Sequence, residues 1–155
     1  MSAVFTTIGA AVQTVIANVS GAPANVFLRD TDVVHPDELP CVVVTMGDAY
    51  TLRQYSGAGI DVGDDRDQGD RLVAYQIGVS VYAENQAANQ TLGTRQDFVE
   101  ACVLALSPRT LAGAPTVYGN RVERRPAWER RPFRQGVEKS VFLVTFLSAE
   151  TRLGN

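Results

Sequence analysis

Two runs of alternating side chains limit what this chain can fold into. Residues 72–85, LVAYQIGVSVYAEN, set Val73, Tyr75, Ile77, Val79 and Val81 on one side and Ala74, Gln76, Gly78, Ser80 and Tyr82 on the other. Residues 138–152, EKSVFLVTFLSAETR, alternate Val141, Leu143, Thr145 and Leu147 against Phe142, Val144 and Phe146. A period of two belongs to a strand, whose successive side chains point to opposite faces. Both runs therefore read as long strands, the first with one well-buried side. CVVVTM, 41–46, is rich in β-branched residues and reads as a strand buried on both faces. NVFLRD, 25–30, reads as a short strand, and TDVVHPDELP, 31–40, as a loop punctuated by Pro36 and Pro40.

A second period, of three and four, marks the helices. Val4, Ile8, Ala11, Val12, Val15, Ile16 and Val19 make one stripe over residues 3–19, with Gly21 and Pro23 as the stop. TRQDFVEACVLAL, 94–106, reads as a second helix capped by Thr94, with Phe98, Ala101, Cys102 and Ala105 as its stripe. Between the first two main strands, residues 47–70 hold five Gly and six Asp and read as a long loop. TVYGNRVERRPAWER, 116–130, reads as an edge strand broken at Pro126. It is expected to form a hairpin with the last strand, carrying a long basic loop. Grouped strands with helices able to cover only one face give an α+β fold, a mostly antiparallel sheet with two helices on one side. At 155 residues the chain suits a single domain, 1–155.

The opening residues lack a basic segment and are interrupted by Thr6, Thr7, Gln13, Thr14 and Asn18, so neither a signal peptide nor a membrane span is expected. Cys41 and Cys102 have no CxxC spacing and no neighbouring histidine, and read as two buried free thiols in a reducing cytosol. His35, in VHPDEL, has Asp37 and Glu38 beside it, which a proline turn explains more simply than catalysis. No phosphate-binding glycine loop and no nucleophile elbow occurs, so no enzyme activity and no cofactor is expected.

Charge is the informative remainder. The net charge of −3 is too mild to draw nucleic acid by bulk attraction. It is unevenly placed. Residues 61–70 carry Asp61, Asp64, Asp65, Asp67 and Asp70 against Arg66, net −4. Their spacing fails the calcium-loop pattern, because Gly69, Asp70 and Gln76 fall where a ligand, a glycine and a glutamate are required. No metal site is expected. Residues 121–134 carry Arg121, Arg124, Arg125, Arg130, Arg131 and Arg134 around Trp128 and Phe133, with two Glu, net +4. Arginine with aromatics suits a protein interface or a nucleic acid. In a strand Arg121, Glu123 and Arg125 can instead line one side as an ion-pair ladder on a guarded edge.

The succession of an amphipathic helix, ELPCVVVTMGDAY, YQIGVSVYAEN, TRQDFVEACVLAL and a terminal hairpin resembles the tail-terminator (minor tail, tail-completion) proteins of long-tailed bacteriophages and phage-like particles. The likeness spans nearly the whole chain. It implies a virion protein assembled in the host cytoplasm as a ring, usually a hexamer, that caps the tail tube, stops its polymerisation and offers the head-joining surface. Implied partners are copies of itself, the tail tube protein and a head–tail connector protein, with DNA passing through the lumen without specific binding. The Asp-rich loop would lie against ring or tube neighbours or near the lumen, and the Arg-rich hairpin could meet the Asp loop of an adjacent copy. The alternatives are a head–tail connector or neck protein and a small nucleic-acid-binding module.

Overall fold

The computed structural model describes residues 3–55, 70–84, 88–124, 131–134 and 137–150. Helix α1 is Val4–Ala17, strand β1 Asn25–Arg29, β2 Cys41–Tyr55, β3 Asp70–Glu84, helix α2 Ala88–Ala105, β4 Val117–Arg124, β5 Arg131–Arg134 and β6 Val137–Glu150. The six strands form one sheet in the order β1-β2-β3-β6-β4, with β5 also paired to β6. Among the described residues only β1 and β2 run parallel; every other pair is antiparallel. The fold is α+β, as the grouping of strands implied.

The two alternating runs become β3 and β6, paired without interruption from Arg71↔Glu150 to Glu84↔Val137. Their apolar rows share one face with Val42 and Val44 of β2. Against that face pack Ile8, Ala11, Val12 and Ile16 of α1 and Phe98, Val99 and Cys102 of α2, with Leu106 just beyond it. Each Val, Ile, Leu or Phe side chain fully buried there contributes roughly 1.5–3 kcal/mol, so this layer holds the fold together. Ala105, expected in the α2 stripe, faces solvent, and Val99 and Leu106 take its place.

Three boundaries differ from expectation. α2 begins at Ala88, so Thr94 sits inside the helix and not at its cap. The good helix formers Ala88, Gln90 and Leu92 outweigh the signal of a capping residue. Residues 47–55, expected in the long loop, continue β2. Their alternation is hidden because one extra residue is inserted between Met46 and Ala49 and another between Thr51 and Arg53. Each such bulge shifts the period of two by one. The basic segment is not one loop: β5 intervenes, with Arg131↔Lys139 and Arg134↔Val137 in register.

The second face of the sheet is partly covered. Cys41, Val43 and Tyr82 are buried there beneath Val34, with Phe27 and Leu39 packed on them. Residues 30–40 thus form a strap over one corner. CVVVTM is buried on both faces as expected, Val42 and Val44 under the helices, Cys41 and Val43 under the strap.

Candidate assembly surface

Strap geometry follows from a few polar side chains. The Arg29 guanidinium pairs with the Glu38 carboxylate and donates to the Val33 carbonyl at 2.9 Å. It also stacks 3.9 Å above the Phe27 ring. Asn25 donates to the Glu38 carbonyl at 3.1 Å, so the short 3-10 turn Pro36–Glu38 is moored to β1. His35 opens that turn: its N–H donates to the Glu38 carboxylate at 3.0 Å, and its carbonyl accepts the Glu38 N–H at 3.0 Å. That is the proline-turn role expected of it. Further in, Lys139 of β6 pairs with the Asp32 carboxylate, and the Tyr82 hydroxyl donates to the Asp32 carbonyl at 2.7 Å. Lys139 holds the Asp32 carboxyl below its ordinary 3.8, and Arg29 holds Glu38 below 4.5. Burial, with a smaller push from the Asp32 charge, raises the Tyr82 hydroxyl. None of this network was anticipated. Its only sequence signal is an arginine, Arg29, just before the proline loop and a glutamate, Glu38, within it.

The opposite edge of the sheet gathers the arginines. Arg121 lies opposite Thr145, Arg124 opposite Phe142, Arg131 opposite Lys139 and Arg134 opposite Val137, all along β6. The Arg121 side chain is 79% exposed and stands 3.8 Å from the Glu123 carboxylate. The two share a face, as a ladder requires, at a spacing worth little in water. Asp70 opens β3 opposite Tyr55, at the end of the sheet away from the arginines. Asp61, Asp64, Asp65, Asp67, Arg125, Trp128 and Arg130 lie outside the described residues.

Two large apolar side chains stand out to solvent at bulges. Leu52 is the extra residue between Thr51 and Arg53, and Tyr118 the extra residue between Val117 and Gly119. They are 52% and 43% exposed. A bulge re-aims the side chain it carries.

Among the described residues reactive chemistry is thin. Cys41 and Cys102 are free and buried on opposite faces of the sheet. Burial pushes their thiols up to about 11 and about 12, which leaves little thiolate for nucleophilic work. Among the described residues no group of three or more His, Cys, Asp or Glu could hold a metal ion. Among them, too, no helix is long and apolar enough to cross a membrane.

No protein-family model and no curated protein matches the chain. A solved structure does. The chain is similar to one in the virion of a native gene transfer agent (GTA) particle, at 20% identity and a TM-score of 0.57. The match covers 97% of this chain and 99% of that one. At that identity the likeness establishes the fold.

Proposed function

We propose that this chain is a structural virion protein that caps a tail tube as a ring, halts tube polymerisation and presents the joining surface for the head. The observation that carries the reading is the end-to-end likeness of fold to a chain of a GTA virion. The molecule's surface supports it. Exposed Leu52 and Tyr118 lie at opposite margins of the sheet, and charges of opposite sign, Asp30 and Arg121, at its two edges, while the described thiols are buried. A tube grows because each ring accepts the next through a contact that does not close. A cap halts this by binding the last ring on one face and offering a different face outward. Its partners in this reading are further copies of itself, the tube protein and a connector, with DNA passing through. Turned to the lumen, the net −4 of residues 61–70 would repel phosphate, since cationic contacts are what anchor DNA; turned to the tube, it would steer a basic partner ring.

Electron microscopy of particles made without this chain tests the proposal. Overlong or headless tails are the expected result. Complete heads lacking tails would instead indicate a connector, and particles of normal length and composition would overturn the reading.

A further inference from the structure

The structure also points to how copies meet. We propose that copies of this chain join side by side, head to tail, the strap and outer β2 of one copy seated against the β4–β5 edge of the next. This rests on the ring reading and deepens it by naming the two surfaces.

Charge is the first support. At the β1 end of the strand order Asp30, Asp37 and Glu38 stand against Arg29, net −2 with His35 neutral, while Asp32 lies further in, paired with Lys139 of β6. The described residues of the other end, 117–124 and 131–134, hold four Arg against Glu123, net +3. Asp30 follows β1 directly and Asp37 lies in the turn moored to it, and both are exposed. The two ends are four strand spacings apart, roughly 20 Å, so one copy can present both signs at once.

Register is the second support. Across the sheet, Asn25, Cys41, Tyr82, Lys139 and Arg131 lie on one row. Arg29, Thr45, Gly78, Leu143 and Glu123 lie on another. The strap, strung between Arg29 and Cys41, therefore stands at the height of the arginine edge. Beyond Thr45 the pairing with β1 ends, and β2 itself becomes the margin. There Thr51, Val73, Ser148 and Val117 share a row, and the bulged Leu52 and Tyr118 lie within a residue step of it, on either side, at opposite margins. Copies set side by side at equal height bring acid to base at one level and Leu52 to Tyr118 at the other. An apolar contact flanked by complementary charge is the anatomy of a protein interface.

The bulges in β2 and β4 interrupt ladder hydrogen bonding, so the contact is made by side chains. The same patch is not used twice, which makes the interface heterologous and able to close into a ring.

Mass photometry and sedimentation of five proteins decide the matter. The wild type is expected to associate in low salt, about tenfold more weakly between about 0.05 and 0.5 M. Arg121→Glu with Arg131→Glu, and separately Asp30→Lys with Asp37→Lys, should each weaken association tenfold or more. Mixed in equal amounts they should regain it, because the acidic edge of one meets the basic strap of the other. Leu52→Ser with Tyr118→Ser should weaken association several-fold at an unchanged melting temperature. A wild type monomeric in low salt, swapped variants that associate normally, or a folded mixture that fails to recover overturns the proposal. So does loss of association on neutralising Asp61, Asp64, Asp65 and Asp67 to Asn while the strap variant stays intact. Tail length in particles is read separately. Normal tails without the chain refute the capping role and leave the edge pairing standing; unimpaired capping by dissociated variants does the reverse.

Discussion

Gly78 fixes how closely β3 and β2 approach. A Cβ placed there would stand 2.7 Å from the Thr45 hydroxyl oxygen, inside van der Waals contact. Gly78→Ala is expected to cost about 1–3 kcal/mol through this overpacking, less whatever alanine gains over glycine in strand entropy. Adding Thr45→Ala should return most of the loss in a urea titration. A double variant as unstable as the single one would show that the approach is not the cause. The thiols give a second prediction. Both are raised from an ordinary 9.0, to about 11 for Cys41 and about 12 for Cys102. The folded state keeps its protons where the unfolded chain releases them. Their contribution to stability is therefore whole below pH 9 and is lost as pH climbs through the folded values. Replacing either cysteine by alanine should flatten the alkaline limb of stability against pH, at some cost in packing; an unchanged slope would refute the assignment. That both thiols are buried was legible from their apolar neighbours. That they lie on opposite faces was not, because sequence distance carries no information about which side of a sheet a helix covers.

The strap was legible only as a loop. Its prolines showed that it is neither helix nor strand, but its anchoring depends on Lys139, more than a hundred residues away, and no local period encodes such a pairing. α1 shows the contrary case: Ile8, Ala11, Val12 and Ile16 of its stripe are buried, since helical spacing decides which side chains point together, with Gly9 and Phe5 added to that face from outside the stripe. β2 falls between, its first half plain in CVVVTM and its second half disguised by two inserted residues. The strap's hold should depend on pH. Asp32 and Glu38 have carboxyls lowered below 3.8 and 4.5 by their cationic partners. Their contribution is present above those ordinary values and lost as pH falls through the lower folded ones. Asp32 is 44% exposed, so solvent screening keeps its share to about 1 kcal/mol or less. Lys139→Met should accordingly speed hydrogen exchange in residues 30–40 at pH 7 and raise the labelling rate of Cys41, which the strap covers. Cys102, beneath the helices, is the internal control. Equal acceleration at both cysteines would mean global and not local opening.

At the scale of the molecule the decisive strand is made last. β6 pairs with β3, β4 and β5 and contributes Phe142, Val144 and Phe146 to the core under the helices. The α+β class was legible because both long strands alternate. The strand order was not, since β3 passes over α2 to pair with a strand some sixty residues on, and only the closing of that long loop brings the two apolar rows together. Without β6 the sheet divides. β1, β2 and β3 remain neighbours, while β4 and β5 have no strand left among those described to pair with. A chain ending at residue 136 keeps α1 and α2 with nothing but a three-stranded remnant to cover. It should therefore show no cooperative melt and little dispersion in its proton spectrum. The full chain should refold on the millisecond-to-second scale of proteins dominated by non-local strand pairing. A peptide of residues 137–150 supplied to the truncated chain should restore protection in β3 and β4 together, because both ladders are formed on the same strand. Cooperative folding of the truncated chain by itself would show that the β1–β2–β3 layer and its helices are self-sufficient, and that β6 is an addition to the core and not its centre.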